Sequence, residues 1–201
     1  WTCRLQTALG DKYLVTEEGL SGRTTVFVDP IHESMDALSV AYPLLKSHEV
    51  IDLLIIMLGT NDTGMSVDEF IKNYTALVQA IQESYPYTDI IVNTVPPIPE
   101  NHSNYPHMDQ AKIDDFNMAL LNMCEQLGVR FPNTAEVLKG ENGYGQPDYY
   151  TDGDIHLKSA GLKAALSYLR THAYQTEDRR PDTNNIPTRT LEYVSNPSSA
   201  G

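Results

Sequence analysis

Apolar residues in this chain follow two rhythms that alternate along its length. In one they recur at helical spacing; in the other they run together in short blocks bounded by turn residues. Trp1, Leu5 and Leu9 follow the first rhythm and Gly10 stops it, which predicts an opening helix. Residues 13–16 read as a short strand and 17–30 as a loop rich in Gly and Thr. Residues 35–47 predict a helix interrupted near Pro43. The block 52–58 (DLLIIML) is apolar without a break after its Asp, the pattern of a strand covered on both faces. Residues 59–65 read as a turn. Ser66 and Glu69 then frame a capping box, opening a helix that runs to about residue 85. The block 89–94 (DIIVNT) predicts the next strand, ended by Pro96 and Pro97. A polar loop to about residue 108 leads into a long amphipathic helix over 109–127, closed by Gly128. A short strand over 129–131, a loop of Gly, Tyr and Asp over 141–153, and a last helix over 159–172 complete the pattern.

Alternating helices and strand blocks predict an α/β fold around a parallel sheet. Such a fold normally opens on a strand, and this chain opens on a helix; the expectation is that a first strand is missing from its front. Residues 1–174 read as one domain. From residue 175 to 201 Pro, Asn, Ser, Thr and charged residues dominate, which predicts a flexible polar tail. The alternative is a docked extension anchored by Ile186, Leu191 and Tyr193.

Composition narrows the classes of function. With 27 acidic against 14 basic side chains, the net charge of −13 repels phosphate backbones, so nucleic acid is not an expected partner. No apolar run approaches the roughly 18 residues that span a bilayer. Cys3 and Cys124 make neither a disulfide framework nor a metal cluster. Both sit in helical, apolar contexts that predict buried free thiols, and they fit a reducing, cytoplasmic compartment. No dense set of Asp, Glu and His at metal-ligand spacing calls for a metal, and no organic cofactor is expected.

Three segments at strand ends carry the candidate chemistry, because ligands of open α/β sheets bind beyond the carboxyl ends of the strands. The first contains Glu18, Gly19, Leu20, Ser21, Gly22, Arg23, Thr24 and Thr25, whose glycines allow a backbone N–H to approach a ligand. The second is Gly59, Thr60, Asn61 and Asp62, where an Asn amide can point into the crevice. The third is Asp152, Gly153, Asp154, Ile155 and His156, directly before the last helix. An imidazole beside a carboxylate has the makings of a general base. Each segment alone also reads as an ordinary turn. His32, His48, His102, His107 and His172 lack the acid, Gly-rich loop and helix start that surround His156, and read as loop or surface histidines. Tyr144, Tyr149 and Tyr150 read as rim packing, or alternatively as a platform for an aromatic or sugar group.

Taken together and in order, the stretches WTCRLQTALGDKYLVTEEGLSGRTT, DLLIIMLGTND and DGDIHLKSAG resemble conserved blocks II, III and V of the SGNH (GDSL-type) hydrolases, close to their bacterial arylesterase and acyltransferase branch. The resemblance spans roughly residues 1–172. It implies a three-layer sandwich with a parallel, flavodoxin-like sheet of order 2-1-3-4-5, and serine esterase chemistry on a small-molecule ester through an acyl-enzyme. It also implies that Gly22 and Asn61 donate to an oxyanion, that His156 is the base, that Gly59 shapes the turn, and that Ser21, Thr60 and Asp62 support the site. Related enzymes often associate, so a homo-oligomer is among the expectations. Two departures stand out. No Gly-Asp-Ser occurs in the 201 residues, so the chain offers no nucleophile and is expected to be inactive alone. The position three before His156, usual for the acid, is Gly153, which leaves Asp154, the favoured choice, and Asp152. A reading from a different class is a non-catalytic flavodoxin-like module that holds a small ligand in the same crevice.

Overall fold

The computed structural model describes residues 2–19, 22–25 and 42–172, and the fold is α/β. The helices are α1 (Thr2–Leu9), α2 (Tyr42–Leu45), α3 (Val67–Ser84), α4 (Gln110–Leu127), α5 (Ala135–Leu138) and α6 (Ser159–His172). The strands are β1 (Leu53–Ile56) and β2 (Asp89–Val92).

β1 and β2 pair in parallel, with Leu53 opposite Asp89 and Ile56 opposite Val92. On the other side of β2, Arg130 forms a parallel bridge with Ile91 and its carbonyl accepts from Val92 N–H at 2.9 Å. The expected strand over 129–131 is therefore reduced to one bridge, placed where a third parallel strand would lie. Both strands end at the same edge of the sheet, and that common edge positions the site.

Helix α3 begins as its residues require. The Ser66 hydroxyl accepts from Glu69 N–H at 3.1 Å, satisfying one of the donors that a helix start leaves open. Phe70, Tyr74, Leu77, Val78 and Ile81 then fall on one face and are buried. They meet Ile113, Phe116 and Leu120 of α4, with the Phe70 and Phe116 rings stacked at 3.9 Å. α4 is capped by Asp109, which accepts from Ala111 N–H at 3.0 Å, and ends at Gly128. Its side chains also satisfy the chain leaving β2. Asn117 accepts from Val95 N–H at 2.8 Å and donates to Val95 C=O at 3.0 Å, and Gln110 accepts from Ile98 N–H at 2.8 Å. Residues 95–98, which lie outside the strands, thus have the backbone groups of Val95 and the N–H of Ile98 paired by side chains of α4.

Several expectations need correction. Residues 13–16 form no strand, and Leu14 is 90% exposed; an apolar composition without a ladder partner does not make a strand. β1 is shorter than the apolar block and is not covered throughout, since Leu53 is 42% exposed and only Ile56 is buried. Among the described residues β1 pairs with one strand, β2. Of the helix expected over 35–47, the part through residue 41 lies outside the described residues, and the remainder is the single turn α2. Cys3 is exposed rather than buried. It lines an open groove of about 470 Å³ between α1 and α6, with Leu166 and Lys163 opposite. Cys124 is buried as expected, and burial pushes its thiol up to about 12. The tail over 175–201 lies outside the described residues.

Candidate active site

The turn after β1 begins at Gly59, whose φ of 127° an L side chain would not tolerate. Space forbids one as well: a Cβ there would lie 2.6 Å from Val95 Cγ2 and 3.1 Å from the Phe70 ring. A short 3-10 turn over Thr60–Asp62 follows. It leaves Asn61 exposed and turns Asp62 into the protein.

Two side chains of this turn hold the donor-loop residues 22–25. Asn61 Nδ2 donates to the Arg23 carbonyl at 3.0 Å. Asp62 Oδ1 accepts from both the backbone N–H and the hydroxyl of Thr25, each at 2.8 Å. An amide nitrogen carries two hydrogens, so the bond to Arg23 uses one of the two N–H groups of Asn61. Gly22 lies at the start of this clamped segment, half-buried and with φ of 82°. Ser21 lies outside the described residues, and Thr60 is half-buried in the turn.

Burial raises the Asp62 carboxyl above its ordinary value, only partly offset by the Thr25 N–H and hydroxyl donors. A raised folded-state pKa adds stability at low pH, and that contribution is lost as pH rises through the folded value. Asp62→Asn keeps an oxygen for both Thr25 donors and carries no charge. Urea melts should show it at least as stable as wild type at neutral pH, with a flatter pH dependence. Asp62→Ala strands two donors of the fully buried Thr25 and should cost about 2–5 kcal/mol. Equal melts for the Ala variant and wild type would contradict this clamp.

The third segment folds back on itself before α6. Asp154 N–H donates to Thr151 C=O at 3.0 Å, and Thr151 N–H to His156 C=O at 3.3 Å. Gly153 makes the turn with φ of 68°. Asp154 Oδ1 accepts from Ile155 N–H at 2.6 Å, from His156 N–H at 3.1 Å, and pairs with His156 Nδ1 at 2.6 Å. The His156 bond, with the two backbone donors adding to it, lowers the Asp154 carboxyl below its ordinary value. With Nδ1 carrying the proton toward Asp154, Nε2 is left as an acceptor on a side chain that is 69% exposed. Asp152 does not join this pair. Its Oδ1 accepts from Asn101 Nδ2 at 2.7 Å instead.

The turns after β1 and β2 and the His156 loop meet at the carboxyl edge of the sheet. Gly59 packs on Val95, just past β2. Farther along the same exit, Tyr150 donates to Pro97 C=O at 2.5 Å, and Asn104 N–H donates to Gly153 C=O at 2.9 Å. The Tyr105 ring lies 5.9 Å from the His156 ring, edge to face. The contacts of residues 101–105 escape a reading of the sequence, where the segment is only polar loop; a lone aromatic inside such a loop is the one signal available. Tyr150 proves to be core, fully buried against Gly145, while Tyr144 and Tyr149 are half-buried.

Of the remaining histidines, His102 and His107 belong to the loop that approaches His156, with the His107 ring 6.4 Å from that of Tyr105. His48 pairs with Glu18 at 3.0 Å, His102 with the Pro99 carbonyl at 2.7 Å, and His172 stacks on Tyr168. His32 lies outside the described residues. Among the described residues no three His, Cys, Asp or Glu gather in a way that could hold a metal ion. No helix among them is long and apolar enough to cross a membrane.

A model of the GDSL-like lipase/acylhydrolase family matches residues 1–164. The chain belongs to this family. Among solved structures, the GDSL-like chain is similar to the inhibitor-bound aryl esterase of M. smegmatis, at 25% identity and a TM-score of 0.70, covering 86% of this chain and 84% of that one. A carbohydrate acetylesterase from Sinorhizobium meliloti matches at 24% identity and a TM-score of 0.71, with the same coverage. No curated protein matches.

Proposed function

We propose that this GDSL-like chain carries the base and oxyanion-stabilising parts of a serine esterase acting on short acyl esters. The observation that carries the reading is the bond between Asp154 and His156 Nδ1, with an exposed imidazole beyond it. In this scheme Nε2 of His156 takes the proton of an attacking serine hydroxyl, and Asp154 stabilises the imidazolium that forms. The carbonyl oxygen of the ester becomes an oxyanion, held by the second N–H of Asn61 and the backbone N–H of Gly22. The imidazolium then returns its proton to the departing alcohol, and water releases the acyl group by the same route.

The 201 residues contain no Gly-Asp-Ser. In this scheme the attacking serine is supplied by a strand outside them, and the 201 residues alone are expected to be inactive on esters. The aryl esterase and carbohydrate acetylesterase among the structural relatives suggest phenyl and sugar acetates as first substrates.

The test joins a Gly-Asp-Ser strand ahead of residue 1 and follows hydrolysis of p-nitrophenyl acetate. Activity in the joined protein, with none in the 201 residues, is expected. Asn61→Ala should then lower kcat about 10²–10³-fold, the usual effect of losing one oxyanion donor. Ligand binding by a joined protein that never hydrolyses an ester would favour the non-catalytic module instead.

A further inference from the structure

The loop that presents His156 reaches the core through Ile155, while the residues that bear its chemistry lie outward. His156 is exposed, Asp152 is exposed, and the Asp154 bonds are all local. Beside Ile155 and the bridge between Tyr150 and Leu157 at its base, the loop is held by one short segment after β2. Asn101 donates to Asp152 at 2.7 Å. Asn104 N–H donates to Gly153 C=O at 2.9 Å. Ser103 lies so close to Gly153 that a Cβ there would fall 2.8 Å from its Oγ. Tyr105 packs against the hydrophobic core and sets its ring 5.9 Å from the imidazole, the planes 64° apart. The segment is itself braced, since Tyr105 N–H donates to His102 C=O at 2.8 Å and Met108 N–H to Tyr105 C=O at 3.0 Å.

We propose that residues 101–105 are the positioning element of the His156 loop, with Tyr105 the residue that fixes the plane of the imidazole. An imidazole held only through Nδ1 can still swing about that bond, carrying Nε2 off the line of proton transfer. A half-buried ring beside it, anchored in the core, removes that freedom. Asp152 thereby has a different task from Asp154: it ties the loop down and leaves the imidazole alone. The inference rests on the reading of His156 as the general base.

The test uses two proteins and two readouts. In the 201-residue chain, NMR follows the His156 ring protons and the Nδ1 proton shared with Asp154. Tyr105→Leu should shift the ring protons and broaden the Nδ1 proton; Tyr105→Phe should preserve both. In the strand-joined enzyme, Tyr105→Leu should lower kcat by about 10–100-fold with KM nearly unchanged, as misplacement of a reacting group does, and Tyr105→Phe should restore it. If the Leu variant does not fold, Tyr105→Met keeps apolar bulk against the core without a ring, and the same losses are expected. Unmoved His156 resonances and unchanged kcat in a folded Leu or Met variant would overturn the positioning role while leaving the esterase reading intact. Full activity in His156→Ala would instead place the base elsewhere and remove the reading of His156 on which the positioning role rests, whatever the NMR of Tyr105 variants shows.

Discussion

Replacing His156 with Ala in the strand-joined enzyme should lower kcat for p-nitrophenyl acetate by at least about 10⁴-fold, with little change in KM. The size follows from what the imidazole does. A serine hydroxyl is a poor nucleophile until a base takes its proton, and the developing alkoxide cannot be compensated by the oxyanion donors alone. His156 is the only histidine among the described residues that the structure pairs with a carboxylate directly before α6 at the carboxyl edge of the sheet. His48 also meets a carboxylate, Glu18, but through Nε2, which leaves that nitrogen occupied. His48→Ala therefore serves as the comparison and should leave kcat within about threefold. The fold should survive the His156 change, because the side chain is largely exposed. Circular dichroism and melting temperature check this. A folded His156→Ala enzyme of ordinary activity would place the base elsewhere.

Much of the scaffold around this site was legible because it is local. Ser66 and Glu69 announce a helix start three residues apart, and the bond between them exists. Gly128 ends α4, and the apolar blocks over 52–58 and 89–94 contain β1 and β2. The Gly59 turn is legible for the same reason: a glycine soon after an apolar block marks a turn, and here its φ of 127° is one that a residue with a Cβ rarely adopts. What failed depended on partners distant in sequence. Leu14 and its neighbours have strand-like composition but no ladder to join among the described residues, and Cys3 has an apolar helical context but an open groove beside it. α5 has four residues, too few for a period to show. The clamp of Thr25 by Asp62 and the approach of Tyr105 to His156 are tertiary contacts that no spacing rule encodes.

The choice between Asp152 and Asp154 shows the same limit at the scale of one residue, and it yields the second large effect. Asp154→Asn should lower kcat by about 10⁴-fold, whereas Asp152→Asn should cost less than about tenfold. Spacing alone cannot separate two acids that flank Gly153, since the answer depends on which way the turn sends each carboxyl. With Gly153 in the left-handed region, Asp154 folds over its own following N–H groups and meets Nδ1, while Asp152 faces Asn101. An Asn at 154 can still accept a bond, but it can also donate from its amide nitrogen to an unprotonated Nδ1. The imidazole proton then moves to Nε2, the nitrogen that has to be free, and no carboxylate remains to stabilise the imidazolium. An Asn at 152 keeps an oxygen for Asn101, so the loop stays tied. The pH dependence adds a check on the same assignment. Hydrogen bonds hold the Asp154 carboxyl below its ordinary value. A depressed folded-state pKa means its contribution is present above the ordinary aspartate value and is lost as pH falls through the lower folded one. The Asp154–His156 bond, followed through the downfield Nδ1 proton, should therefore persist into acid below the range where free aspartate titrates. In Asp154→Asn that acid-stable proton should vanish, and in Asp152→Asn it should remain; the opposite pattern would make Asp152 the acid.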